Sequence, residues 1–162
     1  KRALLIADIP YRSVSLRNAQ RLVKAGARGV KIEGIESIKE IRKIIKAGIP
    51  VMGHLGFLPQ KVKEYGGYKI QRDPKIIQQA KVLERAGVFA IVLELIPPEL
   101  ANKVTKAVKV PTIGIGAGKD CDGQVLVSYD MLGLYPKAPK FAKKYVDLAG
   151  SIKRAVARFI AE

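Results

Sequence analysis

Apolar residues recur along this chain in two alternating rhythms. Residues 16–24, 38–47 and 74–86 carry them at helical spacing, and each segment closes on Ala-Gly before a short apolar strand begins. KAGARGVKIEG, KAGIPVMGHLG and RAGVFAIVLEL are three copies of this join, with Gly26, Gly48 and Gly87 where a helix end calls for a left-handed residue. Six strands are expected, at 3–7, 30–32, 51–53, 89–93, 112–115 and 125–127; their alternation with helices is the βαβ pattern of a parallel sheet. ELANKVTKAVKVP links the fourth strand to the fifth, and a glycine-rich turn links the fifth to the sixth. At the C-terminal end, LAGSIKRAVARFIAE places Ile152, Val156, Phe159 and Ile160 on one face of an amphipathic helix. No composition shift marks a linker, so residues 1–162 read as a single domain.

The second strand, VKIE, carries charge in an unusual place. Side chains alternate faces in a strand, so Val30 and Ile32 share one side and Lys31 and Glu33 the other. Polar residues also end other strands: Asp8, His54 and Glu94. Carboxyl ends of strands are where active sites gather in both open α/β sheets and (β/α)8 barrels. An open doubly wound sheet is covered on both faces and leaves no room for Lys31 and Glu33. The inner face of a barrel opens into a site, so the expected fold is a (β/α)8 TIM barrel. Such a barrel takes about 250 residues and eight strands; this chain is two βα units short.

Composition narrows the chemistry. A hydrophobic content of 48% with 27% charged residues describes a soluble globular protein, and no apolar run approaches the roughly 18 residues a membrane helix needs. The cytoplasm is the expected location, and no membrane partner is expected. The excess of 30 basic over 14 acidic residues raises nucleic acid as a partner. Yet the cations are spread over helix after helix without interleaved aromatics, which describes a solvated basic surface such as thermophilic proteins carry, and nucleic acid is not expected. Cys121 is the only cysteine and His54 the only histidine, which excludes a disulfide framework and a Cys- or His-built metal cluster. Any metal must be held by oxygen.

Neighbouring parallel strands lie about 4.8 Å apart, so Asp8 and Glu33, at one level, could share an ion; hard carboxylates without soft partners suit Mg²⁺. The plainer reading has each acid cap a following helix. Lys31 is expected to contact an anionic substrate, the alternative being an ion pair with Glu33. Glu94 follows five apolar residues, surroundings that disfavour its ionised form and suit general acid or base work. A helix-capping role is better filled by Glu99. His54 is read as a loop residue whose flanking Gly53 and Gly56 admit a ligand, although a lone loop histidine is more often structural. GIGAGKDCDG lacks the lysine and threonine spacing of a phosphate loop.

ADIPY, VKIEG, VMGHLGFLPQ, GGYKIQ, FAIVLELIP, PTIGIGAG, CDGQVLV and DMLGL followed by PKFAKKY together resemble the ketopantoate hydroxymethyltransferase family from end to end. The resemblance implies a (β/α)8 barrel in which a one-carbon unit passes from 5,10-methylenetetrahydrofolate to 3-methyl-2-oxobutanoate through an enolate stabilised by Mg²⁺, in a homo-oligomer, typically a decamer. By position it implies Asp8 and Glu33 as metal ligands, Asp8 and Lys31 in substrate binding, and Glu94 as the catalytic base, with His54 a possible further site residue. The family's Asp-Ser pair after its second strand has no counterpart, and the loops at 11–18 and 71–73 are short. The expectation is therefore the ordered part of a longer protein, carrying about the last six strands and lacking the first two βα units. Alternatives are another Mg²⁺-dependent 2-oxo acid lyase or mutase of the same superfamily, or a basic nucleic-acid-binding fragment.

Overall fold

The computed structural model describes residues 3–135 and 138–162. It divides into two compact units, Lys1–Gln124 and Val125–Glu162. The first unit holds six strands: β1 (Ile6–Asp8), β2 (Gly29–Glu33), β3 (Val51–Gly56), β4 (Ala90–Glu94), β5 (Thr112–Ile115) and β6 (Gly123–Gln124). They form one sheet in the order β1-β2-β3-β4-β5-β6, with every pair parallel. Helices α1 (Leu16–Lys24), α2 (Ile38–Lys46), α3 (Lys75–Ala86) and α4 (Pro98–Ala107) make the crossovers.

This order decides the architecture. Parallel crossovers share one hand, so an unbroken sequential order places every helix on the same side of the sheet, whereas a doubly wound sheet reverses its order midway. The result is an arc of barrel wall: a half-barrel of six parallel strands. Its helix-facing side is apolar. Val30, Ile32, Val51, Leu55, Ile91 and Leu93 are buried there against Ala19, Ile41, Ile44, Ala80, Leu83, Ala101 and Val104. Gly26, Gly48 and Gly87 adopt the left-handed conformation expected at the helix ends. Ser15 caps α1, its hydroxyl accepting from the Asn18 N–H at 3.3 Å.

Register corrects several expectations. Asp8 pairs with Lys31, not with Glu33, which sits two residues further along β2 opposite His54. The two carboxylates are therefore not at one level. His54 belongs to β3 rather than to a loop. The sixth strand lies at Gly123–Gln124 instead of 125–127. Asp122 sets its start, accepting from the Thr112 N–H at 2.8 Å and from the Thr112 hydroxyl at 3.0 Å. Ile113 and Gly114 pair with Gly123 and Gln124, and β5 ends one residue later, so almost nothing remains for the Val-Leu-Val run to pair with. The first strand likewise pairs only over Ile6–Asp8.

The second unit holds the short α5 (Ser128–Met131) and α6 (Leu148–Ala161). Tyr145 and Leu148 N–H groups donate to the Met131 and Leu132 carbonyls. Helix α6 forms where expected, but none of its residues is buried, and Ile152, Val156, Phe159 and Ile160 are exposed. No helix among the described residues is long and apolar enough to cross a membrane.

Gly53 and Gly56 serve packing rather than ligand approach. A Cβ on Gly53 would come 2.7 Å from Leu83 Cδ1, on the helix side of β3. Gly56 has φ +91°, and its Cβ would come 2.2 Å from the Glu94 carbonyl oxygen, itself held by the Phe57 N–H at 2.8 Å. A methyl group can turn aside, whereas a hydrogen-bonded carbonyl cannot. Gly56→Ala should therefore cost about 3 kcal/mol and Gly53→Ala only about 1 kcal/mol. Urea unfolding of the two variants checks the ranking.

Candidate active site

The side of the sheet away from the helices gathers the charged residues. Along each strand alternate side chains point to this face, and register stacks them in tiers: Asp8 beside Lys31 and Met52, then Glu33 beside His54 and Val92, then Glu94 beside Ile115. All four strand-end residues expected from the sequence, with Lys31, are brought together here.

Lys31 is the hub. Its Nζ lies 2.8 Å from Asp8 Oδ1 and 3.3 Å from His54 Nδ1. The expected alternative, a pair with Glu33, does not form; Lys31 turns instead to its register partner Asp8. His54 is 1% exposed, with Nδ1 3.9 Å from Glu33 Oε1 and Nε2 3.2 Å from Glu94 Oε2. The latter approach is close enough for a hydrogen bond but out of line, so Nε2 has no bonded partner. Glu33 and Glu94 side chains are nearly buried, at 5% and 12% exposed, while Asp8 is 61% exposed.

Oxygen donors are thus present for a divalent cation. Among the described residues, no group of three or more His, Cys, Asp or Glu is arranged to hold a metal ion by itself. Asp8 and Glu33 offer two carboxylates from neighbouring strands on one face, the kind and number of protein ligands that suit Mg²⁺, which keeps several waters. By donor chemistry the residues fit that ion. Cys121 is a poor nucleophile candidate, since burial pushes its thiol up.

A clasp of residues not foreseen in the sequence holds the loops above this face. The Gln60 N–H donates to Glu33 Oε2 at 3.3 Å. Its side-chain amide brackets the loop after β1: Oε1 accepts from the Tyr11 N–H at 2.5 Å, and Nε2 donates to the Ile9 carbonyl at 3.4 Å. Lys61 reaches Glu36 Oε1 at 2.5 Å and lies 4.9 Å from the centroid of the Tyr11 ring. Gln60 and Lys61 therefore tie the loops after β1, β2 and β3 to one another. Periodicity could not reveal them, because their partners lie 25 to 51 residues away.

The clasp has a charge signature. Burial alone would raise the Glu36 carboxyl, but the hydrogen bond and charge of Lys61 outweigh it and hold the group below its ordinary 4.5. Burial alone would lower Lys61, but Glu36 and Tyr11 outweigh it and hold the ammonium above 10.5.

A family model for ketopantoate hydroxymethyltransferase matches residues 1–162. The chain is 50% identical over 173 residues to the 3-methyl-2-oxobutanoate hydroxymethyltransferase of Pyrobaculum neutrophilum, covering 99% of this chain and 66% of that protein. It is 50% identical over 175 residues to the protein of that name from Caldicellulosiruptor saccharolyticus, covering 100% of this chain and 66% of the relative. The chain thus spans about two thirds of the length of the curated relatives it matches. The aligned 173 positions outnumber the 162 residues of the chain, so the Pyrobaculum protein has internal residues without a counterpart here. Among solved structures, orotidine 5'-monophosphate decarboxylase from Methanocaldococcus jannaschii aligns with TM-score 0.52 at 18% identity, over 78% of this chain and 63% of that one. The Amycolatopsis orientalis BexX/CysO complex aligns with TM-score 0.55 at 11% identity, over 96% and 67%. At such identities these two bear on the fold alone.

The Lys61–Glu36 pair should behave as a pH-bounded clasp. Glu36, lowered in the folded state, contributes stability above about 4.5 that is lost as pH falls through its folded value; Lys61, raised, contributes below about 10.5 and loses it as pH rises through its own. Because Glu36 is largely exposed, the coupling should stay under about 1 kcal/mol. A double-mutant cycle with Glu36→Gln and Lys61→Met should show it near neutral pH and lose it as pH falls well below 4.5.

Proposed function

The chain belongs to the ketopantoate hydroxymethyltransferase family, and from that premise we propose that the charged inner face is part of a ketoacid site for one-carbon transfer. The enzyme moves a hydroxymethyl group from 5,10-methylenetetrahydrofolate to 3-methyl-2-oxobutanoate, giving 2-dehydropantoate on the route to pantothenate. The observation that carries this reading is the meeting, on one face, of an ammonium flanked by a carboxylate and a nearly buried carboxylate beyond it: Lys31, Asp8 and Glu94.

Each residue has a task that its surroundings suit. The Lys31 ammonium has three donors, two of them directed at Asp8 and His54, and the third is available for an oxygen of the ketoacid. Asp8 and Glu33 would hold Mg²⁺, and the Gln60 N–H steadies Glu33. Bound there, the ion would supply electrophilic polarisation that makes the hydrogen on C3 of the ketoacid more acidic. Glu94 takes that proton. The electron pair left on C3 forms the new bond to the methylene carbon of the folate; that carbon's two bonds to folate nitrogens break in turn, water supplies the hydroxyl group of the product, and the proton from C3 and the remaining proton of the water end on the two nitrogens of the departing tetrahydrofolate. Near burial keeps competing water away from the Glu94 carboxylate.

The working enzyme is a cytoplasmic homo-oligomer, decameric by family resemblance, and the unit Lys1–Gln124 belongs to its barrel domain. The sequential order of its six parallel strands supports the barrel part of that reading.

In the full-length enzyme, Glu94→Gln should keep ketoacid affinity within about twofold and lower C3 proton exchange by about 10²–10⁴-fold. Exchange followed by deuterium loss in the absence of folate isolates this step, and an unimpaired rate removes Glu94 from the role of base.

A further inference from the structure

His54 is the most deeply buried polar group on the inner face, and the reaction as described gives it no task. Its two ring nitrogens meet different neighbours. On the β2 side stand Lys31, 3.3 Å from Nδ1, and Glu33, 3.9 Å from it; on the β4 side Glu94 Oε2 lies 3.2 Å from Nε2. Glu33 is too distant to accept from Nδ1, so Lys31 decides the state of that atom. An ammonium has donors and no acceptor. Its contact with Nδ1 therefore requires a lone pair there, which leaves the ring proton on Nε2.

The opposite tautomer fails on both sides. A proton on Nδ1 would face the Lys31 N–H groups donor to donor, and the lone pair on Nε2 would face the Glu94 carboxylate acceptor to acceptor. With the proton on Nε2 both contacts become attractive. Only the angle at Glu94 is imperfect in this structure, and the terminal carboxylate torsion that would correct it is soft.

We infer that His54 is a positioning residue: Lys31 locks it as the Nε2–H tautomer, and that N–H holds and aims the carboxylate of Glu94. This rests on the reading of Glu94 as the base and adds a physical link between the ketoacid anchor and that base. One oxygen of Glu94 is occupied by the imidazole, and the other remains to receive the proton from C3. His54 itself exchanges no proton in the cycle.

The tautomer can be read without substrate, metal or turnover. Full-length protein labelled with ¹⁵N, studied through two-bond ¹⁵N–¹H correlations of imidazole rings, should show the Nε2–H pattern in the signals that vanish in His54→Gln. A ring protonated on Nδ1, or on both nitrogens, overturns the inference. Lys31→Met removes the donor that opposes a proton on Nδ1 and should admit a detectable share of the Nδ1–H form, with Glu94 alone still favouring Nε2–H; a pattern with no trace of it overturns Lys31 as the lock. In C3 proton exchange, His54→Leu should lower the rate by about ten- to a hundredfold at a ketoacid KM within about twofold of the parent. His54→Gln, which keeps an N–H donor, should recover part of that loss. A His54→Leu rate equal to the parent's, or no difference between Leu and Gln, counts against positioning. Unimpaired exchange in Glu94→Gln would sink the base reading instead, and would leave the tautomer result standing.

Discussion

Every crossover between parallel strands turns with the same hand, and in this sheet the strands follow one another without a break in order. All the crossover helices of the first unit are thereby confined to one side, and the opposite side is left uncovered by them. Most of what is distinctive about the molecule follows from this one-sidedness. A strand of a doubly wound sheet could not carry Lys31 and Glu33 without burying two charges among helices, at a cost that good pairing seldom repays. Here Val30 and Ile32 take the helix side, completely buried, and the two charged neighbours take the other.

On that free side the arrangement is graded rather than symmetrical. Asp8 stands open to solvent, Lys31 reaches inward from it, and His54, Glu33 and Glu94 are nearly sealed. Under the proposed function, an anionic ketoacid meets an ammonium already oriented by a carboxylate and an imidazole, and the proposed base lies at the dry end. Fixed dipoles and charges do more in such a place than in water, because little reorganisation is left to the moment of reaction. The loops above are drawn together by Gln60 and Lys61, so the groups below are framed by a clasp rather than by free segments.

Much of this was legible in residue pattern. The helix ends at Gly26, Gly48 and Gly87 stand where expected, and the period of two in VKIE separates the helix side from the site side as found. Asp8, Glu33, His54 and Glu94 all come to the expected face. The misplacements share one origin. The Val-Leu-Val run has the composition of a strand, but β5 ends too soon to pair with it. The glycines around His54 point to a loop, whereas in the fold Gly53 makes room for Leu83 and Gly56 for the Glu94 carbonyl. Asp8 and Glu33 each end a strand, which suggests one level, but strands of unequal length need not end together.

Local sequence by itself determined the succession of elements, the face each strand residue takes and the set of residues able to do chemistry, since helix ends and strand alternation depend only on near neighbours. Tertiary structure alone decided the register that puts Lys31 beside Asp8, the contacts of His54 with Lys31 and Glu94, and the bracket of Gln60 around a loop some 50 residues distant. These depend on where strands and loops from remote parts of the chain meet in space, and no local periodicity encodes that meeting.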